Sequence, residues 1–178
     1  MTPHETNWRP EILEDDIVKI IPLIETDFDA LFKVASDPLI WEQHPAWDRY
    51  KPEVFKIYFD GAIAGGTAFK IIDKLTNAII GSTRYYDQDP ENSSTAIGYT
   101  FLAKEFWGGT YNNSSKKRLI DYAFQFVDSI FFHIGAKNFR SQAAIKKIGA
   151  VKVREYIVEI NGQPSPHFEY VMQKQNWP

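Results

Sequence analysis

The sequence contains no cysteine, and this absence excludes several kinds of chemistry at once. Disulfide bonds, thiolate zinc sites, iron–sulfur clusters and cysteine nucleophiles all require that side chain. No apolar run approaches the roughly 20 residues that cross a bilayer, so no membrane partner is expected. Residues 1–5, MTPHE, lack the basic and then apolar layout of a secretion signal. We therefore expect a soluble, cytoplasmic protein.

An excess of charge of one sign is also missing. The 178 residues carry 20 Lys and Arg against 23 Asp and Glu, a net charge of −3, which argues against a nucleic-acid partner bound on a broad basic face. The histidines His4, His44, His133 and His167 are scattered, so no metal site is predicted. The chain has no P-loop, no Gly-x-Gly-x-x-Gly loop and no Gly-x-Ser-x-Gly elbow. Ordinary nucleotide loops and serine hydrolases are therefore disfavoured.

What the chain does have is apolar and aromatic material, at 44% and 15% of its residues. That is enough for a substantial core, and no repeat or flexible linker divides the sequence, so a single domain over 1–178 is predicted. Periodicity and turn residues predict the order β-α-α-β-β-β-α-β-α-β-β. The predicted strands are 16–23, 67–73, 78–86, 95–102, 129–134, 151–160 and 167–173. An α/β (α+β) fold follows, in which helices flank a mixed sheet of about seven strands.

The predicted strand 95–102 contains a glycine at an unusual place. Alternation puts Ile97, Tyr99 and Phe101 on one face of this strand. Gly98 is unfavourable in the middle of a strand, and it predicts a bulge or a close approach by a ligand.

A glycine turn connects that strand to the next helix. Gly108 and Gly109 precede a helix N-terminus, whose free N–H groups and positive dipole end suit an anion such as a pyrophosphate. The run 116–118, Lys-Lys-Arg, either strengthens this anion site or forms a solvated charged face.

The helix that begins near Asn138 carries a second candidate. Ser141 shares its inward stripe with Ile145 and Ile148, and a buried hydroxyl without a partner costs about 1–3 kcal/mol. Ser141 is therefore either a packing residue bonded to its own helix or a ligand contact. Asn138 is either the helix N-cap or a ligand contact.

Three segments together carry a resemblance that none of them carries alone. They are 97–102 (IGYTFL), 106–112 (FWGGTYN) and 138–150 (NFRSQAAIKKIGA). Their combination resembles the GNAT N-acetyltransferase superfamily, and looks closest to its ribosomal-protein alanine acetyltransferase branch. The resemblance implies a mostly antiparallel sheet whose two central parallel strands splay around acetyl-CoA. It also implies transfer of an acetyl group to a primary amine by direct attack in a ternary complex.

The resemblance further implies roles for individual residues. The backbone of Phe101 and Leu102 would pair with pantetheine, and N–H groups from Tyr99 to Phe101 would stabilise the oxyanion. Asn138 would meet the pantetheine arm, and Ser141 would lie near the sulfur and hydrogen-bond the thiolate. The residues expected to hold the pyrophosphate are Trp107, Gly108, Gly109, Thr110, Tyr111 and Asn112, with Lys116 as a nearby cation.

Two positions depart from the family pattern. Thr110 occupies the second small position of the pyrophosphate loop, so the φ/ψ pattern of this loop must differ, because threonine tolerates positive φ poorly. Ala96 stands where relatives often carry a glutamate that acts as a base through water. Glu42 and His44, in the aromatic loop 41–47, are the candidate bases, and the alternative for both is ordinary loop polarity.

The sequence also suggests which residues bind the acceptor amine and which kind of amine it is. Trp41, Trp47, Tyr85 and Tyr86 either line an acceptor pocket or fill the core. Without an assigned base, a lysine amine costs about 4–5 kcal/mol to deprotonate at pH 7, and an α-amine about 1–1.5 kcal/mol. We therefore predict the α-amine of a protein N-terminus, or another low-pKa amine of a small molecule, as acceptor.

Two other functions remain open at this level. One is a non-catalytic acyl-CoA-binding protein that keeps the fold, suggested by Ala96 and Thr110. The remoter one is another α/β nucleotide enzyme. Either a monomer or a homodimer is expected.

Overall fold

The computed structural model describes residues 6–178. Residues 1–5, with His4 and the stretch on which the expected absence of a secretion signal rests, lie outside the described residues. The strands are β1 Leu13–Glu14, β2 Val18–Pro22, β3 Ala68–Asp73, β4 Ile79–Asp89, β5 Ser94–Leu102, β6 Ser129–Gly135, β7 Val151–Ile160 and β8 Gln163–Gln173. The helices are α1 Phe28–Ala35, α2 Pro52–Gly65, α3 Thr110–Ala123 and α4 Phe139–Lys147.

All eight strands form one sheet in the order β1-β2-β3-β4-β5-β6-β8-β7. The mixed, mostly antiparallel sheet is confirmed, with eight strands where seven were predicted. The additional strand is β1, which pairs Leu13 with Ile20 and is too short to show a periodicity. β8 begins four residues earlier than predicted, at Gln163. Its prolines Pro164 and Pro166 pair only with β7, beyond the reach of β6, so they interrupt no central ladder.

Helices cover both faces of the sheet. α1 and α2 pack on one face, where Phe55 and Phe101 are buried in the same cluster. α3 and α4 pack on the other face, where Ile120 and Ile145 join the larger cluster with Ile97. Each apolar face is thereby removed from water. No helix within residues 6–178 is long and apolar enough to cross a membrane.

The parallel neighbours β5 and β6 separate part of the way along their length. Ser94 to Ala96 pair with Ser129 to Phe131, and the pairing ends there. Both strands continue past that point, to Leu102 and Gly135. The predicted splayed pair is therefore confirmed, and its vertex lies at Ala96 and Phe131.

A bulge interrupts β5 directly after this vertex. Tyr99 has φ of +52°, and the pairing of β5 with β4 shifts between Ser82 and Arg84. The extra residue puts Ile97 on the α3/α4 face and Phe101 on the α1/α2 face. The bulge predicted from Gly98 is confirmed, and the prediction that Ile97, Tyr99 and Phe101 share one face is wrong.

Candidate active site

A cavity of about 420 Å³ lies between the separated halves of β5 and β6. Ile97 from β5 and Phe132 from β6 are among its apolar lining residues. Three cations, Lys116, Arg140 and Lys147, line it, and within the described part of the chain no Asp or Glu does. An elongated molecule with an apolar arm and an anionic end fits this combination.

The glycine turn forms one end of the cavity. Gly108 and Gly109 have φ of +104° and +113°, which residues with a Cβ rarely adopt. Gly109 is the N-cap of α3, so Thr110 is its first helical residue and avoids positive φ. No side chain caps α3, so the N–H groups of its first turn are open to an anion. Because α3 begins at Thr110, directly after the two glycines, this threonine needs no positive φ, and the glycine turn tolerates the departure from the family pattern.

The basic run 116–118 divides between two environments. Lys116 is only 7% exposed and lines the cavity, and burial lowers its pKa to about 8. Lys117 and Arg118 instead contact the carboxylate of Asp121, at 2.9 and 3.1 Å. The anion-site interpretation therefore applies to Lys116, and the charged-face interpretation to its two neighbours.

Asn138 and Ser141 both line the cavity at the start of α4. The Asn138 side chain accepts a hydrogen bond of 3.2 Å from the Ser141 N–H, so it is the N-cap of α4. Capping occupies Oδ1 and leaves the amide Nδ2 able to donate to a ligand. The Ser141 hydroxyl makes no hydrogen bond within residues 6–178, so it does not bond back to its own helix.

The other expected cofactor residues have distinct surroundings. Tyr99, Phe101, Leu102, Trp107 and Asn112 line the cavity together with the two glycines. The Trp107 indole donates a hydrogen bond of 3.0 Å to the Leu102 carbonyl, which already gives that oxygen a partner. Tyr111 points away from the cavity, and its hydroxyl donates to Asp73 at 3.1 Å.

The aromatic residues expected on the acceptor side are dispersed. Trp41 touches the cavity, but it is buried and its indole donates to the Ala35 carbonyl at 2.8 Å. Trp47 is 53% exposed and lies outside the cavity. Tyr85 is fully buried, with its hydroxyl bonded to the Leu119 carbonyl at 2.6 Å, so it belongs to the core. The expectation that Trp47 and Tyr85 line an acceptor pocket is therefore wrong, since neither residue lines the cavity.

Neither expected base is placed to accept a proton from a substrate. Glu42 is exposed and paired with Arg140 at 3.3 Å, outside the cavity lining. His44 lines the cavity, but its Nδ1 accepts the Ala46 N–H at 2.9 Å and its Nε2 lies 3.4 Å from Arg49 Nη1, so both ring nitrogens face donor groups of the protein. Burial, together with Arg49 and His167, lowers the pKa of His44 to about 3. A group this weakly basic does not deprotonate an amine.

The residues that the sequence patterns did not indicate lie on the α1/α2 face beside the bulge. The Tyr58 hydroxyl donates to the Tyr99 carbonyl at 2.6 Å and fixes the bulge. The Arg84 guanidinium lies 3.8 Å from the centre of the Tyr99 ring. His133 lines the cavity and also a neighbouring groove that contains Glu169.

The sequence contains a weak signal for His133 and Glu169. His133 interrupts the apolar run Phe132–Ile134, and Glu169 stands between Phe168 and Tyr170. Polar residues within apolar strands indicate a satisfied polar pair or a functional group. No cluster of three or more His, Asp or Glu within residues 6–178 could hold a metal ion.

Comparisons with known proteins agree with this geometry. A GCN5-related N-acetyltransferase from Brucella melitensis has a TM-score of 0.80 at 19% identity, over 96% of this chain and 83% of that chain. Spermidine N-acetyltransferase from Vibrio cholerae, in complex with CoA and spermine, has a TM-score of 0.71 at 15% identity, over 91% of this chain and 98% of that chain. Mycobacterium smegmatis RimJ, in complex with CoA-disulfide, has a TM-score of 0.70 at 17% identity, over 90% of this chain and 84% of that chain.

These structures share the fold with this chain. No curated protein sequence matches it. The family model described as "Acetyltransferase (GNAT) domain" matches residues 18–151, from β2 to the first residue of β7. The match includes the bulged strand, the glycine turn and the start of α4, so the chain belongs to the GNAT acetyltransferase family.

Proposed function

We propose that the protein transfers the acetyl group of acetyl-CoA directly to a primary amine in a ternary complex. The observation that carries this proposal is the cavity between β5 and β6, which has cations at its α3 and α4 ends and no carboxylate among its described lining residues. CoA combines a diphosphate with a long, largely uncharged arm, and this cavity offers a complementary surface to each part.

The diphosphate would bind at the N-terminus of α3. Its oxygens would accept hydrogen bonds from the N–H groups of Thr110 to Asn112, which no side chain caps. Lys116 lines the cavity nearby, and Lys147 Nζ lies 3.5 Å from the position of a Cβ on Gly109. Both cations would offset the charge of the phosphates.

The thioester would lie near the bulge of β5. Attack of the amine nitrogen on the thioester carbonyl forms the C–N bond and places negative charge on the carbonyl oxygen. Backbone N–H groups between Tyr99 and Phe101, beyond the end of pairing with β6, would stabilise that charge. When the C–S bond breaks, the free hydroxyl of Ser141 would donate a hydrogen bond to the departing thiolate.

The acceptor we propose is an α-amine, on a peptide or a small molecule. At pH 7 the neutral form of an α-amine costs about 1–1.5 kcal/mol, against about 4–5 kcal/mol for a lysine side chain. Neither Glu42 nor His44 is placed to make up that difference.

The CoA site is tested by calorimetric titration with CoA. Gly108→Asp places a carboxylate beside the diphosphate site, and Gly108→Ala introduces the same backbone strain without charge. We expect the Asp variant to bind CoA about tenfold more weakly than the Ala variant, because like charges at short range cost of order 1–2 kcal/mol. Equal affinities of the two variants, or binding of ATP or NAD in preference to CoA, would contradict the assigned site.

The reaction is tested by thiol release from acetyl-CoA with a panel of amines at pH 7. A peptide with a free N-terminus and no lysine is compared with an N-blocked peptide that contains one lysine. We expect a higher kcat/KM for the free N-terminus. A preference for the lysine peptide would overturn the acceptor class. Tight CoA binding without turnover of any amine would overturn the transferase and favour an acyl-CoA-binding protein.

A further inference from the structure

Tyr86, His133 and Glu169, which belong to three different strands of the sheet, form a continuous hydrogen-bonded chain. The Tyr86 hydroxyl lies 2.7 Å from His133 Nδ1, and His133 Nε2 lies 2.8 Å from Glu169 Oε2. Tyr86 is on β4 and His133 on β6, with β5 between them. The Tyr86 ring spans β5 at Gly98, where a Cβ would lie 2.9 Å from its Cε1 atom.

The partners on either side fix the proton positions in this chain. Arg154 contacts the Glu169 carboxylate at 3.0 Å, and although burial opposes it, hydrogen bonds from Arg154 and His133 lower the pKa of Glu169. An ionised carboxylate can only accept, so His133 Nε2 carries the ring proton. Nδ1 is then the basic nitrogen, and the Tyr86 hydroxyl donates to it. Burial raises the pKa of Tyr86, so the phenol stays protonated at rest.

His133 brings this chain of three residues to the wall of the cavity, and the Tyr86 hydroxyl lies behind that wall, next to Gly98. His133 lines both the CoA cavity and the adjoining groove, and Tyr86 is partly buried on the same side of the sheet. A Cβ on Gly98, itself in the cavity wall, would lie 3.1 Å from the Tyr86 hydroxyl.

We infer that Tyr86 and His133 form the proton relay that accepts the proton of the neutral acceptor amine as it attacks, and that Glu169 positions His133. This inference rests on the proposed function. As the amine nitrogen attacks, its proton moves to the Tyr86 oxygen while the Tyr86 proton moves to His133 Nδ1. Tyrosine ends neutral, no phenolate is formed, and the resulting imidazolium faces the Glu169 carboxylate. The relay thus supplies the base that Ala96 does not.

The test compares two tyrosine variants near the same histidine. Tyr86→Phe removes the hydroxyl that bonds His133. Tyr156→Phe is the matched control, because its ring lies 6.0 Å from the His133 ring and its hydroxyl makes no hydrogen bond within residues 6–178. At saturating acetyl-CoA, with the fastest amine of the panel, we expect Tyr86→Phe to lower kcat about 100-fold, in the range of general acid–base catalysis. Its KM for acetyl-CoA should be unchanged, and Tyr156→Phe should keep full activity.

A second measurement separates proton transfer from support of the fold. His133→Ala should lose activity similarly and regain part of it when imidazole is added to the assay, whereas lost packing is not restored in this way. Unchanged kcat in Tyr86→Phe would overturn the relay while leaving the transferase intact. Loss of CoA affinity in parallel with activity, without rescue by imidazole, would overturn it too. Absence of turnover by the wild-type protein with every amine would overturn both the function and the relay.

Discussion

Gly98 leaves the Tyr86 ring the space that it occupies across β5, since a Cβ on Gly98 would lie 2.9 Å from Tyr86 Cε1. Gly98→Ala should therefore push the ring away from His133. We expect a large loss of kcat and a loss of about 1–3 kcal/mol in unfolding free energy, because overpacking forces side chains and backbone to shift. Enzyme kinetics and urea denaturation measure the two effects. Wild-type kcat in this variant would contradict the placement of Tyr86.

Gly61 offers the corresponding control within α2. A Cβ there would meet nothing within 4 Å, and alanine is the better helix former. Gly61→Ala should raise the unfolding free energy by about 0.5–1 kcal/mol and leave kcat unchanged. Urea denaturation checks the first expectation, and a loss of stability would show that this part of α2 is packed differently.

Lys116 should make stability depend on pH in the alkaline range. Burial lowers its pKa to about 8 from an ordinary 10.5. Between these values the unfolded chain holds a proton that the folded protein has released, so the unfolding free energy rises with pH across this window. Below about pH 8 the buried ammonium destabilises the fold. Lys116→Met should therefore stabilise the protein at pH 7, by up to about 3 kcal/mol.

The control for this substitution is the next residue. Lys117 is exposed and paired with Asp121, so Lys117→Met should change stability by less than about 0.5 kcal/mol. Urea denaturation at pH 7 and pH 10 compares the variants, and calorimetry should show weaker CoA binding by Lys116→Met. Equal stabilities of the two variants at pH 7 would rule out a destabilising charge on Lys116.

Two substitutions at Asn138 separate its cap from its proposed ligand contact. Aspartate caps a helix as well as asparagine does but cannot donate a hydrogen bond when ionised. Asn138→Asp should keep the stability of the protein and raise the KM for acetyl-CoA. Asn138→Ala should raise the same KM and also lose about 1 kcal/mol of stability. An unchanged KM in both variants would limit Asn138 to capping.

Thr76 should control the acid stability of the turn that anchors α3. Its hydroxyl donates to the buried carboxylate of Asp73 at 2.6 Å and is the largest cause lowering the Asp73 pKa. A lowered carboxyl pKa adds stability that is present above its ordinary value of 3.8 and is lost as the pH falls through the folded value. Thr76→Val should therefore destabilise the protein at pH 7, and less so near pH 2. Thr76→Ser, which keeps the hydroxyl, should resemble the wild type in urea denaturation at both pH values.

Local patterns were sufficient to predict most of the fold. The apolar stripe of α2 starts at Pro52, which suits a first helical turn, and ends before Gly66 with φ of +73°. Gly98 indicated the bulge, because glycine weakens a regular strand and is typical of places where the strand departs from regular pairing. β1 was missed because two residues carry no period, and only their pairing with the neighbouring strand β2 makes them a strand.

The candidate site could be predicted only where it depends on the backbone or on a single helix. Gly108, Gly109 and Asn138 indicate their own roles through local conformation. The hydrogen-bonded set of Tyr86, His133 and Glu169 depends on a strand order that brings β4, β6 and β8 close together. No local sequence pattern indicates that order. Tyr85 and Tyr86 are adjacent, and the pleat alone directs Tyr85 into the core and Tyr86 towards His133 on the other face of the sheet.

The early end of the β5–β6 ladder also has a mechanical consequence. The sheet has two parts, strands β1 to β5 and strands β6 to β8. Within the sheet, three consecutive residue pairs join them, from Ser94 and Ser129 to Ala96 and Phe131. The gap between β5 and β6 can widen without breaking a hydrogen bond of the β5–β6 ladder, since that ladder ends at Ala96 and Phe131. A ligand bound in the cavity would contact both parts of the sheet and would connect them where the ladder does not.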